Sequence, residues 1–364
     1  MIRVPVTTPS RSYEVMIGSG SLDRAGESLG NLLATRRAFV VTVPPVRKLW
    51  AKTLVQSMAA VGIKTELIEM PDGERAKRLS TLEKLAEQLV KAGADRTATL
   101  IALGGGVVGD VTGFLASIYM RGVDVIQVPT TVLAQVDAAI GGKTGVNLVA
   151  GKNLLGTFHQ PRAVLVDPAV LKTLRPREYR AGLYESLKCG IIGDPGLFRL
   201  FEEKHKEILA REPEVVEKVI ADSVRLKASV VSTDEREGGL RQVLNLGHTI
   251  GHALEAETEY KSLLHGEAVG WGLVAATYIS LSTGKLDSVT AGRIMNAVLG
   301  LGELPRVNVK TANILRRLKF DKKTRQGVVH FILPREIGKV EITSDVPETA
   351  VRTALEEMRK QARS

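Results

Sequence analysis

Across the first half of this chain, short apolar runs alternate with amphipathic segments, and that alternation limits the fold more than any single motif. Arg37–Val41 (RAFVV) is a compact apolar run, followed by an amphipathic stretch to about Ala60. Thr65–Met70 is the next strand candidate. Between Arg75 and Ala92, the residues Leu79, Leu82, Leu85, Ala86 and Leu89 recur on one side at helical spacing. ATLIAL, DVIQVP and AVLVD supply three further strand candidates. Strand, helix, strand repeated in this way predicts an α/β, Rossmann-like domain with a mostly parallel sheet covered on both faces.

From about Pro176 the strands stop. Pro176–Gly190, Pro213–Ser232, Gln242–Glu257, Glu267–Ser282 and Leu286–Leu299 favour helix, and VVHFILPREIGKVEI reads as a late strand pair. At 364 residues the chain is long for one core. The expectation is an α/β domain over residues 1–175 and a mainly α-helical domain over 176–364, joined near LKTLRPREYR. Ligands of open α/β sheets sit at the carboxyl ends of the strands, so a second domain packed there would close a cleft. The apolar run AVGWGLVAATYISL is too short to span a membrane and reads as a buried helix. MIRVPVTTPS lacks the apolar core of a signal peptide, and a lone cysteine, Cys189, fits a reducing cytoplasm.

The net charge is +10, yet Lys and Arg are scattered and aromatics make up only 4% of the chain. A nucleic-acid surface concentrates its cations beside aromatic residues, so no nucleic-acid partner is expected. The sharper use of such cations is to line a pocket for an acidic small molecule.

After ATLIAL comes GGGVVGD, and then the helical DVTGFLASIYM. Backbone N–H groups of a strand–glycine–helix turn can cradle a pyrophosphate, although the spacing is not GxGxxG and a tight structural turn explains a glycine cluster equally well. Glu74, at the end of the preceding strand, can accept ribose hydroxyls, and Pro129-Thr130-Thr131 offers hydroxyls after the next.

LNLGHTIGHALEA places His248 and His252 four residues apart, and His265 follows in LLHGEAVG. Thr249 stands where a metalloprotease base would be, which argues against a peptidase. His248 and His265 supply two imidazoles, and Glu185, a lone carboxylate in the apolar AGLYESLKCG, is the best third ligand for a catalytic metal. Satisfied core histidines are the plainer alternative for an isolated pair. Around these residues Lys143, Lys152, Asn153, Lys188, Lys227, Arg241 and Asn245 form a cationic and amide set. Arg241, Asn245, His248 and His252 are expected on one helical face by steps of three or four, which suits a ligand carrying carboxylate, hydroxyls and phosphate.

Together these residues resemble the 3-dehydroquinate synthase family of sugar-phosphate cyclases. The matching segments are GGGVVGDVTGFLAS, YMRG, QVPTTVLAQVDAAIGGKTGVN, GKNLLGTFHQP, LYESLK, LNLGHTIGHALEA and LLHGEAV, spread over most of the chain. The resemblance implies NAD, one divalent metal ion (zinc or cobalt), a homodimer, and a phosphorylated seven-carbon sugar acid as substrate. By motif position it implies Glu185, His248 and His265 as metal ligands, leaving His252 to the substrate. It also implies substrate contacts at Asp137, Lys143, Asn153, Lys188, Arg241, Asn245 and Lys323, with Lys322 the alternative to Lys323. Arg121 and Lys152 would assist the phosphate, and Lys227 a hydroxyl or carboxylate. NAD would meet Glu74, Lys77, Gly105, Gly106, Asp110, Thr130, Thr131 and Thr173, with Lys143 and Lys152 nearby.

One segment departs from the family pattern. Val43 and Pro44 occupy the position after the second strand where an acidic residue commonly takes the adenosine ribose. From sequence alone, Val43→Asp is expected to tighten NAD binding. The rival readings are another sugar-phosphate cyclase and a metal-dependent polyol dehydrogenase. Lys188, Arg241, Asn245 and the DKK segment favour the carboxylated substrate, which needs the extra cations.

Overall fold

The computed structural model describes residues 1–320 and 329–361. It divides into two compact units, Met1–Leu174 with Val216–Arg236, and Arg175–Val215 with Glu237–Ser364. The first unit therefore includes most of one helix from the second half of the sequence.

The strands of the first unit are β1 (Ile2–Thr7), β2 (Ser12–Ile17), β3 (Arg37–Thr42), β4 (Lys64–Glu69), β5 (Thr99–Gly104), β6 (Asp124–Pro129), β7 (Lys143–Leu148), β8 (Gly151–Phe158) and β9 (Ala163–Val166). Its helices are α1 (Ala25–Leu29), α2 (Pro44–Val46), α3 (Lys52–Ala60), α4 (Leu79–Lys91) and α5 (Gly106–Ile118). Seven strands form one sheet in the order β1-β2-β9-β6-β5-β3-β4. All neighbours are parallel except β1 and β2. Alternation along the strands fills two cores. Phe39 and Val41 of β3, with Leu100 and Ala102 of β5, pack with Leu82, Leu85 and Leu89 of α4 and Val111 and Phe114 of α5. Ala38, Val40, Ile101 and Leu103 pack instead with Ala25, Leu29, Leu54 and Met58 of α1 and α3.

The five strands expected from the apolar runs are present as β3, β4, β5, β6 and β9. The structure adds the β1–β2 hairpin at the sheet edge and a separate β7–β8 hairpin in a segment whose glycines read as loop. The strand order reverses between β5 and β3. From β3 the chain crosses outward to β4, and from β5 it crosses the other way to β6. Ligands of doubly wound sheets bind at such a switch point, beyond the carboxyl ends of the two strands. Here those ends lead into Val43 and Gly105.

The second unit is built on α6 (Pro176–Gly193), α7 (Pro195–Glu203), α8 (His205–Ala210), α10 (His248–Glu257), α11 (His265–Ser282), α12 (Ser288–Gly300), α13 (Thr311–Phe320) and α14 (Glu348–Gln361). Between α8 and α10 runs α9 (Pro213–Thr233), which passes into the first unit. A hairpin of β10 (Phe331–Glu336) and β11 (Lys339–Thr343) completes the second unit. Helix α11 is apolar around most of its circumference, from Ala268 to Ile279, which is the pattern of a helix buried on all sides. Among the described residues, no helix is long and apolar enough to cross a membrane.

One sequence expectation fails here. Gln242–Glu257 is not a single helix. Leu240–Asn245 is a 3-10 turn, Gly247 takes a left-handed φ of 79°, and α10 starts only at His248. Arg241 and Asn245 therefore do not share a helical face with His248 and His252. The break follows from crowding: the Gly247 carbonyl passes so close to Gly272 of α11 that a Cβ on Gly272 would lie 1.8 Å from it.

Candidate active site

In the first unit, β5 runs into Gly105 and α5 begins at Gly106. Among the described residues no side chain caps this helix start, so its first N–H groups can serve an anion. The glycines also meet packing demands. A Cβ on Gly104 would lie 2.5 Å from Val108, and one on Gly105 would lie 3.1 Å from Thr131. Thr130 is buried, and the Thr131 hydroxyl accepts from Ala134 N–H at 3.2 Å.

A polar network sits at this end of α5. The buried Lys77 Nζ donates to Asp110 Oδ2 and to Asn153 Oδ1, each at 2.5 Å. Burial pushes the Asp110 carboxyl above the usual carboxylate range, and the Lys77 charge opposes that without cancelling it. Asn147 ties the network together: its Nδ2 donates to Glu74 Oε1 at 2.7 Å, and its Oδ1 accepts from Asn153 N–H at 2.9 Å. Lys152 Nζ lies 3.9 Å from Glu74. A second pair joins Lys227, on α9, to Asp137, with Nζ 2.6 Å from its carbonyl oxygen and 2.5 Å from Oδ1.

The structure thus brings Glu74, Lys77, Asp110, Lys152 and Asn153 together, and separately Asp137 and Lys227. Thr173 instead accepts from Trp50 Nε1 at 3.3 Å and donates to Val170 O at 3.1 Å. Lys143 opens β7, exposed and opposite Phe158. Arg121 lies beyond the far end of α5 with φ 70°, about 20 Å from the glycine turn at 1.5 Å per residue. Lys322 and Lys323 lie outside the described residues.

Val43 behaves differently from the sequence expectation. Its side chain is only 4% exposed and belongs to the core with Ile68 and Met70, whereas Pro44 is exposed. An aspartate at 43 would bury an uncompensated charge, at a cost of about 3–5 kcal/mol. Val43→Asp is therefore expected to lower the melting temperature sharply. Pro44→Asp is expected to keep it and to tighten NAD in a calorimetric titration. Unchanged NAD affinity in Pro44→Asp would remove this position from ribose recognition.

In the second unit, Glu185 and Lys188 of α6 are each about 1% exposed and form an ion pair. Glu185 Oε1 lies 3.6 Å from His248 Nε2 and 3.4 Å from His265 Nε2. The rear nitrogens are occupied. His248 Nδ1 lies 3.1 Å from Leu246 O, and His265 Nδ1 lies 3.2 Å from Glu255 Oε2. Both Nε2 atoms are thus turned toward one carboxylate, an arrangement typical of metal-bound histidines. The spacing fits as well. Ligands about 2.0–2.1 Å from a tetrahedral ion sit roughly 3.3 Å apart. His252 completes a cluster in which the three imidazoles each bring a nitrogen within 4.8 Å of the others.

Charge supports a cation at this point. Burial would raise the Glu185 carboxyl, but Lys188 and His265 outweigh it and hold it below the usual range. Burial would lower His265, yet the two carboxylates beside it, Glu185 and Glu255, push it up to about 10. Two carboxylates facing one imidazole favour positive charge at this point, and a metal ion there would compete with a proton for His265. In the same unit Arg241 is almost fully buried, and Asn245 Nδ2 donates to Glu237 Oε1 at 2.7 Å.

Three site residues escaped the sequence reading: Glu255, Glu237 and Asn147. Glu255 was the most legible of them, an acid three residues after His252 in an Ala/Leu-rich segment.

A doubly wound unit with an uncapped glycine turn at its switch point, together with a helical unit carrying a His/His/Glu cluster, defines a nucleotide- and metal-dependent enzyme class. Family models agree on a narrower placement. Residues 67–181 match the 3-dehydroquinate synthase N-terminal model and residues 182–324 the 3-dehydroquinate synthase C-terminal model. A 3-dehydroquinate synthase from Koribacter versatilis (strain Ellin345) is 55% identical over 360 residues, covering 99% of this chain and 98% of that protein. The chain belongs to the 3-dehydroquinate synthase family.

Solved structures agree in fold. A 2-epi-5-epi-valiolone synthase from Streptomyces hygroscopicus subsp. jinggangensis 5008, with NAD+ and Zn2+ bound, superposes with TM-score 0.89 at 30% identity, over 96% of this chain and 98% of that one. A 2-deoxy-scyllo-inosose synthase complexed with carbaglucose-6-phosphate, NAD+ and Co2+ superposes with TM-score 0.86 at 25% identity, over 99% and 100%.

Proposed function

We propose that this chain converts 3-deoxy-D-arabino-heptulosonate 7-phosphate into 3-dehydroquinate and inorganic phosphate, a step of the shikimate route to aromatic amino acids. The observation that carries this reading is the ligand-spaced cluster of Glu185, His248 and His265 in a chain that matches the family almost end to end.

Glu185, His248 and His265 are the proposed metal ligands, for zinc or cobalt. The glycine turn is the proposed dinucleotide site, with Gly105 and Gly106 N–H groups on the pyrophosphate and Glu74 accepting from a ribose hydroxyl. Lys77, Asp110, Thr130, Thr131 and Thr173 are its further proposed contacts, with Lys143 and Lys152 adjoining. When bound, NAD supplies a hydride acceptor that the cycle regenerates, and the metal supplies a positive charge that acidifies the hydroxyl being oxidised.

The chain's own residues handle a heavily anionic substrate, whose phosphate carries close to two charges and whose carboxylate adds one. Lys152, Asn153 and His252 are assigned to the phosphate and its departure, where a cation or N–H donor stabilises the leaving oxyanion. Arg121, at the far end of α5, is too distant within its own chain to join Lys152 and Asn153 there. Lys188, Arg241 and Asn245 are assigned to the sugar-acid end, with Asp137, Lys143 and Lys227 on hydroxyls or carboxylate. Lys323 of the DKK segment is a further candidate. Lys188 suits an anionic group because it is buried beside Glu185, where water competes little for its N–H donors. A homodimer in the cytoplasm, with no nucleic-acid partner, completes the reading.

The test is turnover with the heptulosonate phosphate, a divalent metal and NAD far below substrate concentration. Phosphate and the carbocycle should appear in equal amounts, many times over the NAD supplied, with no lasting NADH absorbance. NADH accumulating with turnover would identify a polyol dehydrogenase. Preference for a heptulose phosphate lacking the carboxylate would identify a valiolone-type cyclase.

A further inference from the structure

Arg177 sits at the start of α6, two helical turns before Glu185. Its guanidinium grips Glu267 with both arms: Nε lies 2.6 Å from Oε1 and Nη2 lies 2.8 Å from Oε2. Nη2 also donates to Ser262 O at 3.0 Å. Glu267 in turn accepts from Leu264 N–H at 2.8 Å, which caps the first turn of α11, the turn that begins with His265. One carboxylate thus ties α6 to the helix start that presents a proposed metal ligand.

The two helices cross at a point where nothing yields. A Cβ on Gly266 would lie 1.8 Å from Ala181 O, so the backbones meet directly. Residues 177, 181, 185 and 188 share one face of α6. The Arg177–Glu267 clamp therefore lies on one side of the crossing, and the Glu185–His265 approach at 3.4 Å lies on the other. From Ala181 to Glu185 is a lever of about 6 Å. A rotation of roughly 5° about the crossing would move Glu185 by about 0.5 Å, the limit of what a functional constellation tolerates.

From this geometry, we infer that Arg177 is a positioning residue for the metal centre, holding α6 in the register that sets Glu185 against His265. The inference rests on the metal reading of Glu185, His248 and His265. The Arg177 side chain is 53% exposed while Glu267 is 7% exposed, so replacing Arg177 opens no core cavity but leaves a buried carboxylate short of its partner.

The test titrates Co2+ into chelator-stripped full-length protein, reading affinity by chelator competition and ligand geometry by the visible absorption bands. Arg177→Gln is expected to weaken cobalt binding by about tenfold or more and to change the bands. Arg177→Lys, which keeps the charge but not the fork, should recover part of the affinity. The control is Arg293→Ala, which breaks a similar two-armed pair with Glu202 (2.8 and 2.7 Å) between α12 and α7. It should lower stability without altering cobalt affinity or spectrum. Should Arg177→Gln fail to fold, Glu267→Gln breaks the same clamp from the other side and should shift the same bands. Wild-type cobalt affinity and spectrum in the clamp variants would overturn the positioning role alone. A wild-type protein that takes up no cobalt at one ion per chain would reject the metal reading beneath it.

Discussion

His248→Ala protein should fold, purify without stoichiometric metal, and show no measurable phosphate release. His248 Nδ1 is engaged by Leu246 O at 3.1 Å, which turns Nε2 into the cluster, 3.6 Å from Glu185 Oε1. Removing a direct ligand should cost more than the roughly 10–100-fold in metal affinity that follows loss of an outer-shell partner. Metal analysis beside a circular dichroism melt checks this. Full metal occupancy in a folded variant would take His248 out of the ligand set.

His252→Ala should separate the two roles that the histidine pair combines. The His252 ring packs edge-on to His248 with centroids 5.2 Å apart, close enough to compete for the ion. Glu185 is nonetheless the better third ligand. It is about 1% exposed, both Nε2 atoms of His248 and His265 face it, and a buried carboxylate between two imidazoles gains most from a cation. His252→Ala should therefore retain one metal ion per chain while losing turnover by on the order of 10²-fold or more, as when one donor to a developing oxyanion is removed. Loss of metal together with activity would reverse the assignment of His252 and Glu185.

The parts of this molecule that were legible from sequence share a physical reason. Strands β5 and β9 are buried on both faces and read as apolar runs, β6 does so apart from Asp124 and the buried Gln127, and Gly104–Gly106 marked the turn after β5. The β7–β8 hairpin was illegible because glycine ordinarily argues against a strand. Here it permits one, since a Cβ on Gly156 would lie 2.0 Å from Thr144 O and one on Gly145 would lie 2.5 Å from Leu155 O. The N-terminal hairpin was hidden by Pro5, which weakens a strand reading, and by its use as a sheet edge.

At the site, rarity made the histidines visible, and a lone carboxylate in an apolar helix made Glu185 visible. Glu255 was not read because an acid in ALEAE looks like a solvated helix face, yet it is 2% exposed and holds His265. The apparent continuity of Arg241, Asn245 and His248 misled for the converse reason. Periodicity persists through Gly247, while the backbone does not. Val43 stayed apolar because its position after β3 faces the core, which no local pattern discloses.

The most direct measurement is a crystal structure of the cobalt-loaded protein with anomalous scattering used to locate the ion. The account predicts one ion per chain, about 2.0–2.2 Å from a Glu185 oxygen, His248 Nε2 and His265 Nε2. An ion bound by His252 without Glu185, or no ion within reach of these side chains, would contradict it.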